Sequence, residues 1–134
     1  MASPAGVWLN AKTDRSGRVI VNRDLAIPGH PDVFILGDVA SVHDANGRPL
    51  PGAAPVAKQQ GAYVAKRLVA ELEGSSTPPF RYRDYGSLAT IGRKYAVVQM
   101  GPLRLTGFIA WFIWCVAHIY FLIGFRNRLV VVLN

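Results

Sequence analysis

The chain has 134 residues, of which 51% are hydrophobic, and a formal net charge of +7. This length suits one domain or part of one, and it is too short for a typical two-domain enzyme. A single cysteine excludes a disulfide framework and dithiol chemistry. The cations accompany apolar sequence and do not form a polar, lysine-rich stripe, which argues against a nucleic-acid partner.

The charges are unevenly distributed along the chain. All eight carboxylates lie at or before Asp84, whereas the last fifty residues carry five cations and no carboxylate. A region that is both basic and apolar suits an anionic membrane surface, where each cation contributes roughly 1 kcal/mol. The N-terminus lacks the charged start and continuous apolar core of a secretory signal, so we expect a cytoplasmic chain.

The first section of the chain predicts short strands. A turn at residues 14–17 is followed by Val19 and Val21, whose alternation is typical of a strand. The stretch "AIPGHPD" reads as a Pro/Gly loop. Residues 33–36, Val-Phe-Ile-Leu, are continuously apolar, which predicts a strand buried on both faces in a parallel-type sheet.

This apolar run ends in Gly37-Asp38, and a helix is predicted from near Pro55 to about Leu72, where Gly74 begins a Ser/Pro linker. Open α/β sheets bind ligands beyond the carboxyl ends of their strands. Glycine lets the backbone approach a ligand, and a carboxylate accepts hydrogen bonds from hydroxyl groups. The helix start adds unpaired N–H groups and a positive dipole end. We therefore predict a ligand site here, although Gly-Asp after a strand is by itself more commonly a turn.

The last two sections predict a β-hairpin and an apolar helix. Residues 82–91 and 95–100 favour β-structure, and "GRK" between them fits a hairpin turn. Residues 107–125 then contain no formal charge. The length of this run is close to that needed to cross a bilayer. No set of metal-ligating side chains occurs at a compatible spacing, so no metal site is predicted.

Two long stretches carry a family resemblance. "PGHPDVFILGDVA" and "PLPGAAPVAKQQGAYVAKRL" together resemble the second half of the FAD-binding domain of two-dinucleotide-binding flavoproteins. "FRYRDYGSLATIGRKYAVV" and "LTGFIAWFIWCVAHIYFLIGFRNRLVVVLN" resemble the C-terminal region of type II NADH:quinone oxidoreductases. The resemblance implies an α/β fold in three parts. These are the end of an FAD-binding domain (1–73), a linker and β-hairpin (74–102), and a membrane-anchoring helical segment (103–134).

The resemblance also implies a cofactor, substrates and a flavin site. In that family NADH reduces FAD, and the reduced flavin passes two electrons to a quinone that comes from the membrane. By this resemblance Asp38 holds a ribityl hydroxyl of FAD, and the helix start faces the pyrimidine edge, where negative charge develops on reduction. The residues implied to line the flavin ring are Gly37, Ala54, Pro55, Val56 and Ala57.

A quinone site is implied at the same helix. In the family an Ala-Gln-x-Ala-x-Gln pattern contributes to the quinone pocket, and residues 54–59 of this chain read Ala-Pro-Val-Ala-Lys-Gln. Pro55 therefore replaces the first glutamine, while Gln59 matches the second. Lys58 occupies a position that is polar in relatives. Lys58 and Gln59 are the quinone-site candidates, although a helix residue of either type is more commonly just solvated.

Membrane association is implied for the C-terminal segment. In the family the C-terminal helices are generally monotopic. We therefore expect this chain to be peripheral, on the cytoplasmic side of the inner (plasma) membrane, and a single transmembrane helix is the alternative. Aromatic residues settle at the lipid interface, and arginine side chains extend towards lipid phosphates. The membrane candidates are Trp111, Trp114, Tyr120, Arg126 and Arg128.

One part of the family pattern is missing. The family carries two glycine-rich G-x-G-x-x-G loops, one for FAD and one for NADH, and the chain contains neither. We therefore expect the C-terminal piece of such an enzyme, inactive alone. It is either a fragment of a longer chain, a truncated product, or a split-gene product whose N-terminal FAD- and NADH-binding part is a separate chain. The alternative is a catalytically inactive membrane-binding remnant or interaction module without flavin.

Overall fold

The computed structural model of the protein describes residues 4–121. The chain divides into two compact units, Met1–Tyr82 (unit 1) and Arg83–Asn134 (unit 2). Both units mix helices and strands among their described residues, so the α/β class expected from the sequence is confirmed. The finer division into three functional parts stays a prediction.

Unit 1 combines four short strands with two helices. Its strands are β1 (Val19–Ile20), β2 (Ala26–Ile27), β3 (His30–Phe34) and β4 (Ala40–Ser41). A short helix, α1 (Ala5–Trp8), precedes them; a 3₁₀ turn (Gly37–Val39) leads into β4; and a long helix, α2 (Ala54–Leu72), follows. β1 and β4 pair in parallel, which brings the N-terminal strand beside the segment that follows Asp38.

The prediction of a doubly buried parallel strand at residues 33–36 is wrong. β3 pairs antiparallel with β2 across a tight turn at Gly29, whose φ of +84° is readily adopted by glycine. The four apolar residues are only half-buried. Among residues 4–121 β3 pairs with β2 alone, so this strand lies in a two-stranded hairpin and not inside a larger parallel sheet with both faces covered.

The predicted helix is confirmed at both ends. Ala53 is extended just before α2, and Pro55 occupies the first turn, where its missing N–H costs no hydrogen bond. After Leu72 the chain turns at Gly74, which has a φ of +69° and donates its N–H to the carbonyl of Glu71. This left-handed glycine ends the helix as the sequence predicted.

The core of unit 1 lies between α2 and the small strands. Its buried members are Leu25, Ala40 and Val42. Leu25 is fully buried although its φ is +66°, an unusual conformation for a bulky side chain. Packing therefore holds this residue in a backbone conformation that it would not adopt alone. The half-buried side chains around this core are Val21, Ile35, Leu50, Tyr63, Val64 and Phe80.

Arg67 ties α2 to the β2–β3 hairpin. Its Nη1 atom lies 2.6 Å from Oδ2 of Asp24, and its Nε atom lies 2.8 Å from Oε1 of Glu71. The guanidinium also lies over the ring of Phe34, 4.8 Å from the ring centroid. A planar guanidinium can make these contacts together, so one side chain fixes the hairpin against the helix.

Unit 2 contains an antiparallel sheet of β5 (Ser87–Thr90), β6 (Ala96–Met100) and β7 (Leu103–Thr106), followed by α3 (Gly107–Phe121). The predicted hairpin is confirmed: β5 pairs with β6, and the Ile91 N–H bonds to the Tyr95 carbonyl. β7 occupies the first residues of the segment expected to be helical. Leu103 and Leu105 alternate with polar residues there, and this period of two suits a strand paired with β6.

α3 packs one face on the sheet. Ala110 is buried together with Ala96 and Val98 of β6, and Trp111 and Trp114 pack against this cluster. Within residues 4–121 no helix is long and apolar enough to cross a membrane. The uncharged run at residues 107–125 extends past the described part of the chain.

Candidate functional site

A cleft in unit 1 lies where the Gly37–Val39 turn meets the start of α2. The turn follows β3, and the loop before α2 forms the opposite wall. The lining residues are Arg18, Gly37, Asp38, Ala40, Val42, Leu50, Pro51, Gly52, Ala53, Val56, Ala57 and Gln60. The structure thus brings together the strand end and the helix start, as the sequence predicted for a ligand site.

The backbone of the turn comes close to the helix. Gly37 has a φ of +73°, and a Cβ atom added there would lie 3.7 Å from the Cβ atom of Ala57. Asp38 is exposed, and its Oδ1 atom would lie 3.7 Å from a Cβ atom added to Gly52. The carboxylate therefore sits between the turn and the loop that leads into α2, where it is accessible to a ligand.

The helix start carries no side-chain cap. Ala53 precedes α2 with a φ of −141° and a ψ of 145°, and its side chain cannot accept a hydrogen bond. Pro55 has no N–H, and the Val56 N–H already bonds to the Ala53 carbonyl at 3.0 Å, so this end contributes mainly the partial positive charge of the helix dipole. The start of α2 can therefore stabilise an anion or an electron-rich carbonyl in the cleft.

Gln60 is a site residue that sequence reasoning missed. It is 1% exposed, and its Oε1 atom accepts a hydrogen bond from the Gly37 N–H at 2.6 Å. This bond links α2 to the turn across 23 positions in sequence. A signal was available, because Gln60 follows Val56 by four positions on the buried face of α2. A polar side chain on a buried helix face needs a hydrogen-bond partner.

Arg18 is a second missed residue. It lines the cleft, and its Nε atom lies 2.8 Å from Oδ2 of Asp14. Desolvation raises the pKa of Asp14, but hydrogen bonds from the Arg18 N–H and side chain outweigh it, so the pKa of Asp14 falls to about 2. Asp14 is therefore ionised at neutral pH and holds a cation at the cleft wall.

The other predicted site residues lie around this cleft or apart from it. Val56 and Ala57 line it, whereas Ala54, Pro55, Lys58 and Gln59 belong to the first two turns of α2 without lining it. Lys58 is exposed and Gln59 is half-buried. No group of three or more metal-ligating side chains comes together within residues 4–121.

The membrane candidates differ in their surroundings. Trp111 and Trp114 are partly buried against the sheet, whereas Tyr120 is 67% exposed. The Trp114 ring also stacks against His118, with the ring centroids 3.8 Å apart. Arg126 and Arg128 lie outside the described residues, so their placement is not tested.

The groups around the cleft define the chemistry that it can contact. An exposed carboxylate accepts hydroxyl groups, while the positive end of a helix dipole favours negative charge. Together with the mixed helices and strands, this arrangement is consistent with an α/β fragment of a flavoprotein.

Comparison with known proteins agrees with this class. No family model matches the chain. It is 46% identical to the type II NADH:quinone oxidoreductase Ndh of Mycobacterium tuberculosis over 124 residues, which are 90% of this chain and 26% of that protein. It is 39% identical to NdhA of the same organism, over 96% of this chain and 28% of that protein. The internal alternative NAD(P)H-ubiquinone oxidoreductase A1 of Arabidopsis thaliana mitochondria is 31% identical, over 94% of this chain.

The chain belongs to the type II NADH:quinone oxidoreductase family and corresponds to the C-terminal part of these proteins. It spans about a quarter of the length of the curated relatives that it matches. The family resemblance stated from the sequence is therefore confirmed.

Proposed function

We propose that the chain provides the flavin- and quinone-facing part of a membrane-bound enzyme that passes electrons from NADH to a quinone. The observation that carries this proposal is the meeting of the Gly37–Asp38 turn and the uncapped start of α2 in one cleft. FAD would supply the two-electron redox chemistry when bound. The activity requires the glycine-rich dinucleotide loops that this sequence lacks.

Each cleft residue has a distinct role in this proposal. Asp38 accepts a hydrogen bond from a ribityl hydroxyl, and Gly37 lets the backbone approach the flavin ring. The helix start, where Val56 and Ala57 line the cleft and Ala54 and Pro55 lie beside it, places its partial positive charge at the ring edge that becomes more negative on reduction. The guanidinium of Arg18 belongs to the same cleft, where its ion pair with Asp14 offsets much of its charge.

The quinone is proposed to approach the first two turns of α2. Lys58 donates hydrogen bonds through its ammonium group, and Gln59 both donates and accepts. Lys58 and Gln59 do not line the cleft. One helix can therefore face a flavin with one side and a quinone with another. Pro55 takes the place of the family's first glutamine, which leaves Gln59 as the matching amide.

Flavin binding tests the proposal directly. The chain is purified alone and also after co-production with the part of Mycobacterium tuberculosis Ndh that precedes the matched region. We expect the co-purified complex to show the visible absorbance of bound oxidised flavin and to reduce a soluble quinone with NADH. Asp38→Ala should abolish flavin retention, whereas the Lys66→Ala control, on an exposed position of the same helix, should not.

The same experiment separates the alternative function. A membrane-binding remnant or interaction module would bind vesicles through unit 2 and would take up no flavin with any complementing chain. Exposed apolar side chains on α3 favour a surface-binding role in both cases. A colourless complex that contains both polypeptides would therefore contradict the enzyme proposal and support the module.

We also propose that unit 2 binds the membrane surface through the outer face of α3. Phe108, Phe112, Val116 and Tyr120 follow each other at intervals of four and are each more than half exposed, so they lie along one side of the helix. The two tryptophans pack on the sheet instead. This stripe, with the basic C-terminal sequence, suits an apolar interface beside anionic headgroups. The proposed localisation is peripheral, on the cytoplasmic side of the inner membrane.

A further inference from the structure

Gln60 is one of two polar side chains that are fully buried in the described part of the chain. Its partner is the N–H of Gly37, the residue directly before the proposed ligand carboxylate. The Gln60 side chain thus reaches out of α2 to the turn that carries Asp38.

The bond acts at a conformationally free position. Gly37 has a φ of +73°, and glycine adopts either sign of φ with little cost. Without an external contact, the turn could therefore rotate and carry Asp38 with it. A 2.6 Å hydrogen bond from the Gly37 N–H to a buried acceptor fixes the plane of that peptide. The direction of the next side chain then follows from the fixed backbone.

We propose that Gln60 is a positioning residue, which holds the Gly37 amide and so aims the Asp38 carboxylate at the ligand hydroxyl. This inference rests on the proposed function, because the hydroxyl belongs to FAD. Gln60 touches no reacting atom. It affects the ligand only through Gly37 and Asp38, and it fixes the backbone conformation of the turn before the ligand binds.

Three variants test the proposal. Gln60→Met keeps a similar length but removes the strong acceptor, while Gln60→Glu keeps an acceptor oxygen. Lys66→Ala, on an exposed position of α2, is the control. The first measurement is hydrogen exchange of the Gly37 amide by NMR on the full chain in detergent. We expect Gln60→Met to accelerate this exchange about tenfold, in line with the loss of one buried hydrogen bond. Gln60→Glu should protect the Gly37 amide as the wild type does.

The second measurement is the dissociation constant for FAD, with the visible spectrum of the bound flavin, in the complex with the N-terminal part of Ndh. We expect Gln60→Met to weaken FAD binding about tenfold and to shift the flavin spectrum, and Gln60→Glu to rescue both. A lower melting temperature with unchanged FAD affinity would show a merely structural role and overturn the proposal. So would weaker FAD binding with unchanged Gly37 exchange.

The proposed function can fail separately. If the wild-type complex takes up no FAD, the proposed function is overturned, and the positioning role falls with it. If the wild type binds FAD while Gln60→Met binds equally well, only the positioning role is overturned. Asp38→Ala, measured beside the Gln60 variants, gives the size of the effect that a lost ribityl contact produces.

Discussion

Within each of the two units, the elements are joined by different interactions. In unit 1, polar side-chain contacts link segments that are distant in sequence: Gln60 bonds to Gly37, and Arg67 pairs with Asp24. In unit 2, a small apolar cluster of β6 and α3 joins helix to sheet. Both units expose large apolar side chains, but those of α3 recur every four residues along one side of the helix. Polar links fix directions, whereas apolar contacts are non-directional, and this difference supports the proposals of a ligand site in unit 1 and of an apolar surface in unit 2.

The largest expected effect comes from the core of unit 1. Leu25→Ala removes a fully buried side chain from the cluster between α2 and the strands, so we expect a loss of about 2–4 kcal/mol. Amide exchange in unit 1, read residue by residue, measures this loss. Ile20→Ala, at a 37% exposed position of β1, is the matched control. A loss below about 0.5 kcal/mol, typical of surface sites, would show that Leu25 is not a core residue.

The next effect tests the apolar surface of unit 2. Phe112 is 57% exposed on α3, and burying a phenylalanine side chain contributes roughly 1.5–3 kcal/mol. Phe112→Ser should therefore weaken partitioning to anionic vesicles about tenfold or more. Trp8→Ser removes an exposed aromatic residue of unit 1 and should leave partitioning unchanged. Equal effects of the two substitutions would contradict the proposed membrane face.

A smaller effect is expected at the polar link of unit 1. Arg67→Met keeps the apolar stem but removes the contacts to Asp24 and Glu71, which should cost about 0.5–1 kcal/mol because both carboxylates are partly exposed and water can solvate them. Arg67→Lys should recover only part of this, since an ammonium group lacks the fork of the guanidinium. Chemical denaturation followed by a reporter in the β2–β3 hairpin measures both. Full recovery by lysine would show that only the charge matters.

Much of this architecture could be predicted from the sequence where the signal is local. Pro55 and Gly74 define the ends of α2, and the residue pattern around "GRK" predicts the β5–β6 hairpin. Gly37-Asp38 and the helix start also meet in one cleft, as their order in an α/β pattern predicts. These features depend on residues that are close in sequence or on a general rule for α/β proteins.

The missed features depend on pairing between distant residues. The apolar run at 33–36 has the same composition whether it lies in a parallel sheet or in a half-covered hairpin, so periodicity could not distinguish them. The role of Gln60 depends on a partner 23 positions away. Tryptophan is a residue type that favours a lipid interface. Trp111 and Trp114 nevertheless pack against the cluster that α3 forms with β6, and this packing depends on tertiary contacts that residue type does not reveal. A short pattern, Asp-x-x-Gly-Arg, occurs twice in the chain, at residues 14–18 and 44–48.

These two turns provide the smallest and most closely matched test. In each, the Oδ1 atom of the aspartate accepts the N–H groups of the second and fourth residues that follow. Only the first turn adds an ion pair in the structure, between Asp14 and Arg18 at the cleft wall. Comparing Asp14→Asn with Asp44→Asn therefore isolates the charge that holds Arg18, because asparagine retains the Oδ1 acceptor.

The pH dependence follows from the lowered pKa. Asp14 has a folded-state pKa of about 2 against an ordinary value of 3.8, so its ionised form stabilises the folded state above about pH 4. That contribution is lost as the pH falls towards 2. Asp14→Asn should thus be less stable than the wild type at neutral pH, and the difference should shrink towards zero at pH 2.

The pKa of Asp44 is also lowered, mainly by the N–H of Arg48, but its turn is exposed, so Asp44→Asn should show a smaller difference. Urea titrations at several pH values measure both, and a stability difference for Asp14→Asn that does not vary with pH would show that the ion pair to Arg18 contributes nothing.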